Sequence, residues 1–309
     1  MTALTDPMFH DDDAARAHFE SVLWPNGPVC PHCGATEGLT RLQGKSHRPG
    51  LFQCNACRGH FTVMNGSIME RSHVPLRKWA LAFHLMASSK KGMSAHQLHR
   101  MLEINYRTAW FMEHRIRECM SNGGDRTPMG GEGVIVEIDE TFIGKKKGAP
   151  VRRGYAHKHA VMTLVERSPE GGRARSIHVE GTAAADLLPI IKANVNSGSH
   201  IMTDEAGQYA HMGKHFAGHD YTTHSKGEYG RGPIHTNTVE GFYSVFKRGM
   251  IGIYQHCGEQ HLHRYVAEFD FRYNNRVRLG VDDTERTLRA VRGAAGKRLM
   301  YQEPGLRSA

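Results

Sequence analysis

The chain has 309 residues, 39% of them apolar, which allows about two domains and at least one sizeable core and excludes a disordered tail. Lys and Arg outnumber Asp and Glu by 40 to 31, giving +9 with the 22 histidines neutral. That balance favours an acidic partner, nucleic acid above all, although many basic proteins touch no polyanion. No stretch approaches the roughly eighteen uninterrupted apolar residues of a membrane span. Met1 to Asp13 ends in three aspartates where a secretory signal would be basic and apolar, so a cytoplasmic protein with no membrane association is expected.

Residues 1–27 read as a lead-in: a helix over Asp13–Leu23 stopped by Trp24-Pro25-Asn26-Gly27. Residues 28–64 carry four of the six cysteines as two pairs, Cys30/Cys33 and Cys54/Cys57, with twenty residues between the pairs. Two such knuckles supply four thiolates at the tetrahedral geometry Zn2+ requires, so a zinc ribbon with a structural ion is expected in preference to ordinary thiols or a redox pair. Gly34 and Gly59 follow the pairs, where a chain folding back around an ion tolerates little side chain. His32 and His60 are expected outside the ligand set, and Cys119 and Cys257 stand alone.

From Pro75 the period turns helical, with Trp79, Ala82, Phe83, Met86 and Ala87 on one stripe. Ser94-Ala-His-Gln97 is a capping-box pattern, Glu103-Ile104-Asn105 a turn, and Tyr106–Arg117 a second helix, so residues 65–122 read as a helix-turn-helix segment. In that reading Ala109, Met112 and Ile116 face inward while Arg107, Trp110, His114 and Arg115 face a DNA groove; the alternative is a small bundle with a solvated basic face. Gly123-Gly124-Asp125 through Gly133 forms a glycine-rich breaker and marks a domain boundary.

Residues 133–280 alternate between strand and helix patterns. Strands are expected at Val134–Asp139, His159–Glu166 and Ala174–Glu180, the last two joined by the turn Ser168–Gly172. A helix at Thr182–Val195 turns Leu187, Leu188 and Ile191 inward despite Pro189, and His200–Asp204 is a fourth strand. Tyr221–His224 is a candidate fifth strand, followed by helices at Thr236–Arg248 and Gln260–Asn274. The order strand, strand, strand, helix, strand, helix, strand, helix matches an α/β ribonuclease-H-like mixed sheet. Residues 281–309 read as a basic, poorly packed tail.

Asp139 and Asp204 each end an apolar strand pattern, where an acid faces ligand and not core. On the helix from Thr236, Val239, Phe242, Tyr243 and Phe246 make one stripe, while Glu240, Ser244 and Lys247 share its edge. Three acids gathered by a fold can hold a pair of divalent cations against a phosphodiester, the requirement of enzymes that cut or join nucleic acid. Each feature alone is common, since strand-end aspartates usually serve turns or caps; their joint order carries the reading. Lys145, Lys146, Lys147, Arg152 and Arg153 form a basic loop suited to phosphate, or else a solvated one.

The four cysteines, the helical segment, and the blocks Glu137-Ile-Asp139-Glu-Thr-Phe-Ile-Gly144-Lys145, Thr203-Asp204-Glu205 and His235–Gly249 resemble bacterial insertion-sequence transposases of the DDE type, in the ISXO2-like branch with an N-terminal zinc ribbon. The likeness covers residues from about 28 to 278. It includes the Arg- and Tyr-rich stretch His261–Asn274, in which Arg264 and Arg272 are candidates to line a DNA channel. The resemblance implies a ribonuclease-H-like catalytic core and two Mg2+ ions per site held by Asp139, Asp204 and Glu240. It also implies double-stranded DNA partners, namely the element's terminal inverted repeats and a target, and a homodimer in the synaptic complex. In this branch the third catalytic position is not always glutamate. Glu240 is preferred because a carboxylate suits a hard cation and Lys247 follows at the expected interval, with Asn237 in reserve. The competing functions are a non-catalytic DNA-binding regulator descended from a transposase, and a ribonuclease H or junction-resolving nuclease, which would leave the ribbon and helices without a task.

Overall fold

The computed structural model describes residues 4–121, 127–151, 154–168, 171–228 and 230–299. Gly123-Gly124-Asp125 of the expected boundary, Arg152 and Arg153 of the basic loop, Pro169 and Glu170 of the expected turn, and residues 300–309 of the expected tail lie outside them. The chain divides into two compact units, the first drawn from residues 1–89, 93–121 and 281–309, the second from 90–92 and 122–280.

The first unit opens on helix α1 (Asp12–Leu23), whose N-terminus is capped by Asp11 accepting from the Ala14 amide and whose inner face buries Ala15 and Phe19. Strands β1 (Leu39–Arg41), β2 (Phe52–Cys54) and β3 (His60–Phe61) pair antiparallel in that order. Their small core is Cys30, Phe52, Cys54 and Phe61 under Trp24. Helix α2 (Leu76–Ser88) buries Trp79, Ala82, Phe83, Met86 and Ala87, the stripe read from the sequence. Helices α3 (Ala95–Leu102) and α4 (Tyr106–Met120) follow, separated by Glu103 in the left-handed region at φ 50° and capped by Ser94 and Asn105.

The second unit is built on a five-stranded sheet of strands β4 (Ile135–Ile143), β5 (His159–Arg167), β6 (Ala174–Val179), β7 (His200–Asp204) and β8 (Gly218–Thr222). The order across it is β6-β5-β4-β7-β8, with β4, β5 and β6 antiparallel to their neighbours and β4, β7 and β8 parallel. This is a mixed α/β sheet of ribonuclease-H-like order. Side chains alternate across a strand, so Val136, Ile138, Met162, Leu164 and Ile201 form one core with α5 (Ala184–Asn194). Val161, Val165 and Ile143 form the other with α6 (Asn237–Gly249) and α7 (Glu259–Asn274). Leu187 and Ile191 are fully buried, each contributing about 1.5–3 kcal/mol, and they hold α5 together through Pro189.

Three expectations are corrected. Between β7 and β8 the chain makes short 3-10 turns at Gly207–Tyr209 and Met212–Lys214, with no α-helix. The fifth strand starts at Gly218, earlier than its apolar pattern suggests. Residues Asp283–Arg292, read as part of a loose tail, form helix α8 in the first unit. It buries Ala290 and Val291, the Arg286 guanidinium donates to the Ala87 carbonyl at 3.3 Å, and Thr287 Oγ1 lies 3.3 Å from His84 Nδ1. Among the described residues no helix is long and apolar enough to cross a membrane.

Candidate active site

The parallel pairing of β4 with β7 runs Ile135↔His200, Val136↔Ile201, Glu137↔Met202 and ends there. Asp139 and Asp204 each lie two residues beyond the last pair, so the two acids occupy equivalent places on neighbouring strands. Both also project from the face opposite Val136, Ile138 and Ile201, which is the face covered by α6. Asp204 is the last residue of β7, as expected, but Asp139 is not at a strand end. β4 continues past it to Ile143 against β5, and what ends near Asp139 is the partnership with β7.

The helix that carries Glu240 is fastened to this face from two directions. The buried Glu137 carboxylate accepts from the amides of Thr238 and Val239 at 2.9 and 2.8 Å, capping the N-terminus of α6 where the helix dipole favours a negative charge. The same carboxylate pairs with the Arg167 guanidinium, which also holds the carbonyls of Pro233 and His235. One and a half turns along, the Tyr243 hydroxyl donates to the Asp139 carbonyl at 2.5 Å and lies 3.1 Å from that of Val161. Lys247 is exposed on α6, its Nζ 5.9 Å from the Tyr243 ring centre.

The electrostatics are those of crowded anions. Burial, then the negative charge of Asp204, push the Asp139 carboxyl up to about 7, and Glu240 adds to the effect. Burial likewise pushes Glu140 up to about 7 although the Tyr209 hydroxyl and Gln208 amide donate to it. Among the described residues neither Asp139 nor Asp204 is in an ion pair. Asp139 accepts the Glu140 amide at 2.7 Å and Asp204 the Ala206 amide at 3.0 Å. Glu240 is exposed, accepts from Thr236 Oγ1 at 2.8 Å, and lies 3.7 Å from His224 Nε2. The ligand oxygens of Asp139, Asp204 and Glu240 are not among the sets that all fall within 4.8 Å of one another. The raised Asp139 carboxyl, which has no ion-pair partner among the described residues, is the feature that a bound cation would relieve.

Asn237, the reserve third residue, is exposed at the start of α6. It lines a cavity of about 510 Å³ with Arg167, His235, Tyr273, Arg276 and Arg278, and Glu240 is not among the lining residues. Sequence reasoning missed Glu137, Glu140, Tyr209 and Tyr243. An acid inside the apolar run Val134–Ile138 was the available signal for Glu137; nothing local announces the other three.

The four cysteines come together as expected. Cys30 and Cys57 Sγ are 3.7 Å apart, Cys33 and Cys54 3.6 Å, and all four sulfurs lie within 4.8 Å of one another. The Cys57 backbone amide holds the Cys54 thiol down to about 7, toward the thiolate a metal needs. Gly34 sits at φ +78°, and a Cβ on Gly59 would meet the His32 ring at 2.8 Å and Cys57 Sγ at 3.3 Å. This donor set fits a structural Zn2+, with His32 and His60 outside it.

The expected DNA-facing residues divide. Arg107 is exposed at the start of α4 and Trp110 half-buried, but His114 and Arg115 are buried, against expectation. Arg115 donates to the carbonyls of Ile68 and Glu70 at 2.8 and 3.1 Å and covers the Phe111 ring, and the Trp110 indole packs edge-on against the His114 ring, because α4 is packed on more than one side. Arg272 is also buried against expectation, in an ion pair with Glu268. Arg264 is half-buried, 2.9 Å from His261 Nδ1. Lys145 and Lys147 are exposed and Lys146 half-buried in the loop after β4.

A four-thiolate cluster ahead of a ribonuclease-H-like sheet bearing clustered acids places the chain in the class of zinc-ribbon proteins with a ribonuclease-H-like domain. Residues 130–274 match the ISXO2-like transposase domain and residues 10–60 the transposase zinc-ribbon domain. The chain belongs to the ISXO2-like transposases of insertion sequences. It is similar to an uncharacterized protein in transposable element ISH50 of Halobacterium salinarum, 26% identical over 267 residues, covering 81% of this chain and 87% of that one. A chain in the simian T-cell lymphotropic virus intasome in complex with PP2A regulatory subunit B56 gamma aligns over 56% of this chain and 67% of its own at 18% identity. Its TM-score of 0.29 is too low to speak to the fold.

Proposed function

We propose that this chain binds the terminal inverted repeats of an insertion sequence and catalyses cleavage of the element's ends and their transfer to target DNA. The observation that carries the reading is the placement of Asp139 and Asp204 on adjoining parallel strands, on the face toward the helix of Glu240, with the Asp139 carboxyl pushed up by burial and by Asp204. Asp139, Asp204 and Glu240 would hold two Mg2+ ions, whose chemistry when bound would be activation of water and stabilisation of the departing oxygen.

The protein's own groups do the rest. Glu137 and Tyr243 keep α6 against β4, so Glu240 keeps its distance from the aspartates. Lys247, two turns from Glu240, presents its ammonium to the phosphate, and Lys145 to Lys147 add phosphate contacts. Water attacks phosphorus at the element's end, the bond to the 3′ oxygen breaks, and a 3′ hydroxyl is released. That hydroxyl attacks a target phosphorus in line, displacing the target's own 3′ oxygen, without a covalent protein intermediate. Two ends must be handled together, which favours a homodimer.

The test is cleavage and strand transfer in Mg2+ on DNA carrying the element's ends. Asp139→Asn and Asp204→Asn should each lower cleavage by about 10³-fold or more, about 4 kcal/mol of barrier, while gel-shift binding of the ends persists. Glu240→Gln should behave like the aspartate variants and Asn237→Ala should not. Undiminished cleavage by Asp139→Asn in Mg2+ refutes the assignment. A wild-type chain that binds ends without nicking them supports the non-catalytic regulator instead.

A further inference from the structure

Away from the acids, a second group of ligating side chains meets on the same face of the sheet. His159 opens β5 and pairs across with Ile143 at the end of β4, and His178 lies on β6 opposite Val161. Residues 159 and 161 share a face, and Val161 belongs to the core under α7, so both imidazoles face α7. Glu259 is the first residue of that helix. One ligand atom from each of the three lies within 4.8 Å of the others, and Glu259 Oε1 is 3.6 Å from His159 Nδ1. His159 is four residues along β5 from Thr163, the cross-strand partner of Asp139, which is roughly 13 Å at about 3.3 Å per residue. The group is therefore separate from the carboxylate site.

Two observations mark the cluster as built for a ligand. His159 is 3% exposed, yet its Nδ1 makes no hydrogen bond, and the buried His178 Nε2 makes none either. A buried imidazole nitrogen without a hydrogen bond costs free energy, and here two such nitrogens sit on rings 5.5 Å apart, crossed at 71°. The remaining donor, Glu259, is more than half exposed on a helix terminus and free to swing.

We propose that His159, His178 and Glu259 form a second metal site for a borderline divalent ion such as Zn2+, distinct from both the four-cysteine site and the paired acids. Two imidazoles and a carboxylate match the donor preference of Zn2+ and not that of Mg2+, whose coordination is oxygen-based. Around a tetrahedral ion with bonds of about 2.1 Å, ligand atoms stand about 3.4 Å apart. His159 Nδ1 and Glu259 Oε1, 3.6 Å apart, already stand near that spacing. The fourth position is open to water. Held this way, the start of α7 is pinned to the edge strand β6 and its neighbour β5, so the ion stabilises the sheet's helical cover whether or not the acids cut DNA.

The full-length protein, purified with excess Zn2+ and desalted, should carry two zinc ions per chain by elemental analysis. Cys33→Ser should lower the count to one by emptying the ribbon. Glu259→Gln, at an exposed helix start where folding is safe, and the double variant His178→Gln/Glu259→Gln should each lower it to one by emptying the second site, with far-ultraviolet circular dichroism unchanged. Loaded with Co2+, the wild type minus Glu259→Gln difference spectrum should show weak ligand-field bands and no thiolate-to-cobalt charge transfer. One zinc per wild-type chain, or a double variant that still holds two, overturns the proposal and leaves a His159–Glu259 ion pair.

Discussion

The two metal-ready regions of this chain are built on opposite plans. In the ribbon every donor lies on one of two tight turns, and the knuckle geometry itself brings the sulfurs together, with Cys30 and Cys54 serving at once as core and ligand. In the sheet the acids come from positions 139, 204 and 240, and only the pairing of β4 with β7 and the docking of α6 make them neighbours. A site written in local spacing can be read from sequence and depends on its ion for its fold. A site written in topology folds first, against its own charge repulsion, and keeps that repulsion until a cation relieves it.

The sharpest way to break this contrast is at the ribbon. Cys30→Ser removes a ligand and a core side chain together, and the zinc free energy that folds such modules is of the order of 10 kcal/mol. Loss of ordered ribbon resonances in NMR, with the α/β unit still melting cooperatively, is the expected outcome. A ribbon that stays folded in the variant would mean its small aromatic core suffices alone. The next largest effect is expected at Glu137, the buried carboxylate that caps α6 and neutralises Arg167. Glu137→Ala leaves a largely buried guanidinium without its partner and should cost about 3–5 kcal/mol in urea unfolding. Glu137→Gln keeps an acceptor for the helix amides and should cost less. Equal losses would assign the effect to side-chain shape and not to charge.

The same contrast explains what could be read in advance. The stripe Trp79, Ala82, Phe83, Met86, Ala87 and the stripe Val239, Phe242, Tyr243, Phe246 lie where their spacing puts them, because each helix has one buried face. α4 has more than one, so its single apolar stripe wrongly left His114 and Arg115 to solvent. α8 was lost because its sequence is mostly charged; its contacts run through Arg286 to a backbone carbonyl and through Thr287, groups no hydropathy pattern reports. At the acids, Asp139 and Asp204 were legible as ends of apolar runs, but Glu140 and Tyr243 were not. Their partners Tyr209 and the Asp139 and Val161 carbonyls are 69 to 104 residues away in the chain.

A third site tests the burial of a charge. Asp270 on α7 accepts from the Ser176 amide at 2.7 Å and the Ser176 hydroxyl at 2.6 Å, yet burial still pushes its carboxyl up to about 6. A raised value means the folded protein holds the proton more tightly than the unfolded chain does. The stabilisation is therefore complete below about pH 4 and is lost as pH rises through 6. Asp270→Asn, which cannot ionise, should remove from the pH 4–7 stability profile a fall of roughly 2–3 kcal/mol, measured by urea unfolding at several pH values. An unchanged slope would place the titration elsewhere.

The smallest effect separates the DNA-contact proposal from a merely solvated loop. Lys145 and Lys147 are exposed just after β4, the strand that carries Asp139. If each ammonium neutralises one phosphate of the bound ends, each releases about one counterion, and removing it should lower the slope of log K against log salt by about 1. Lys145→Ala/Lys147→Ala should thus flatten the slope by about 2 and weaken binding alike for cognate and unrelated sequences, since phosphates carry no base identity. Melting should be unaffected, because neither residue is buried. The readout is a titration of labelled duplex at several salt concentrations. An unaltered slope assigns the two lysines to solvent, and the loss of affinity for cognate ends alone would instead mean that the loop reads bases.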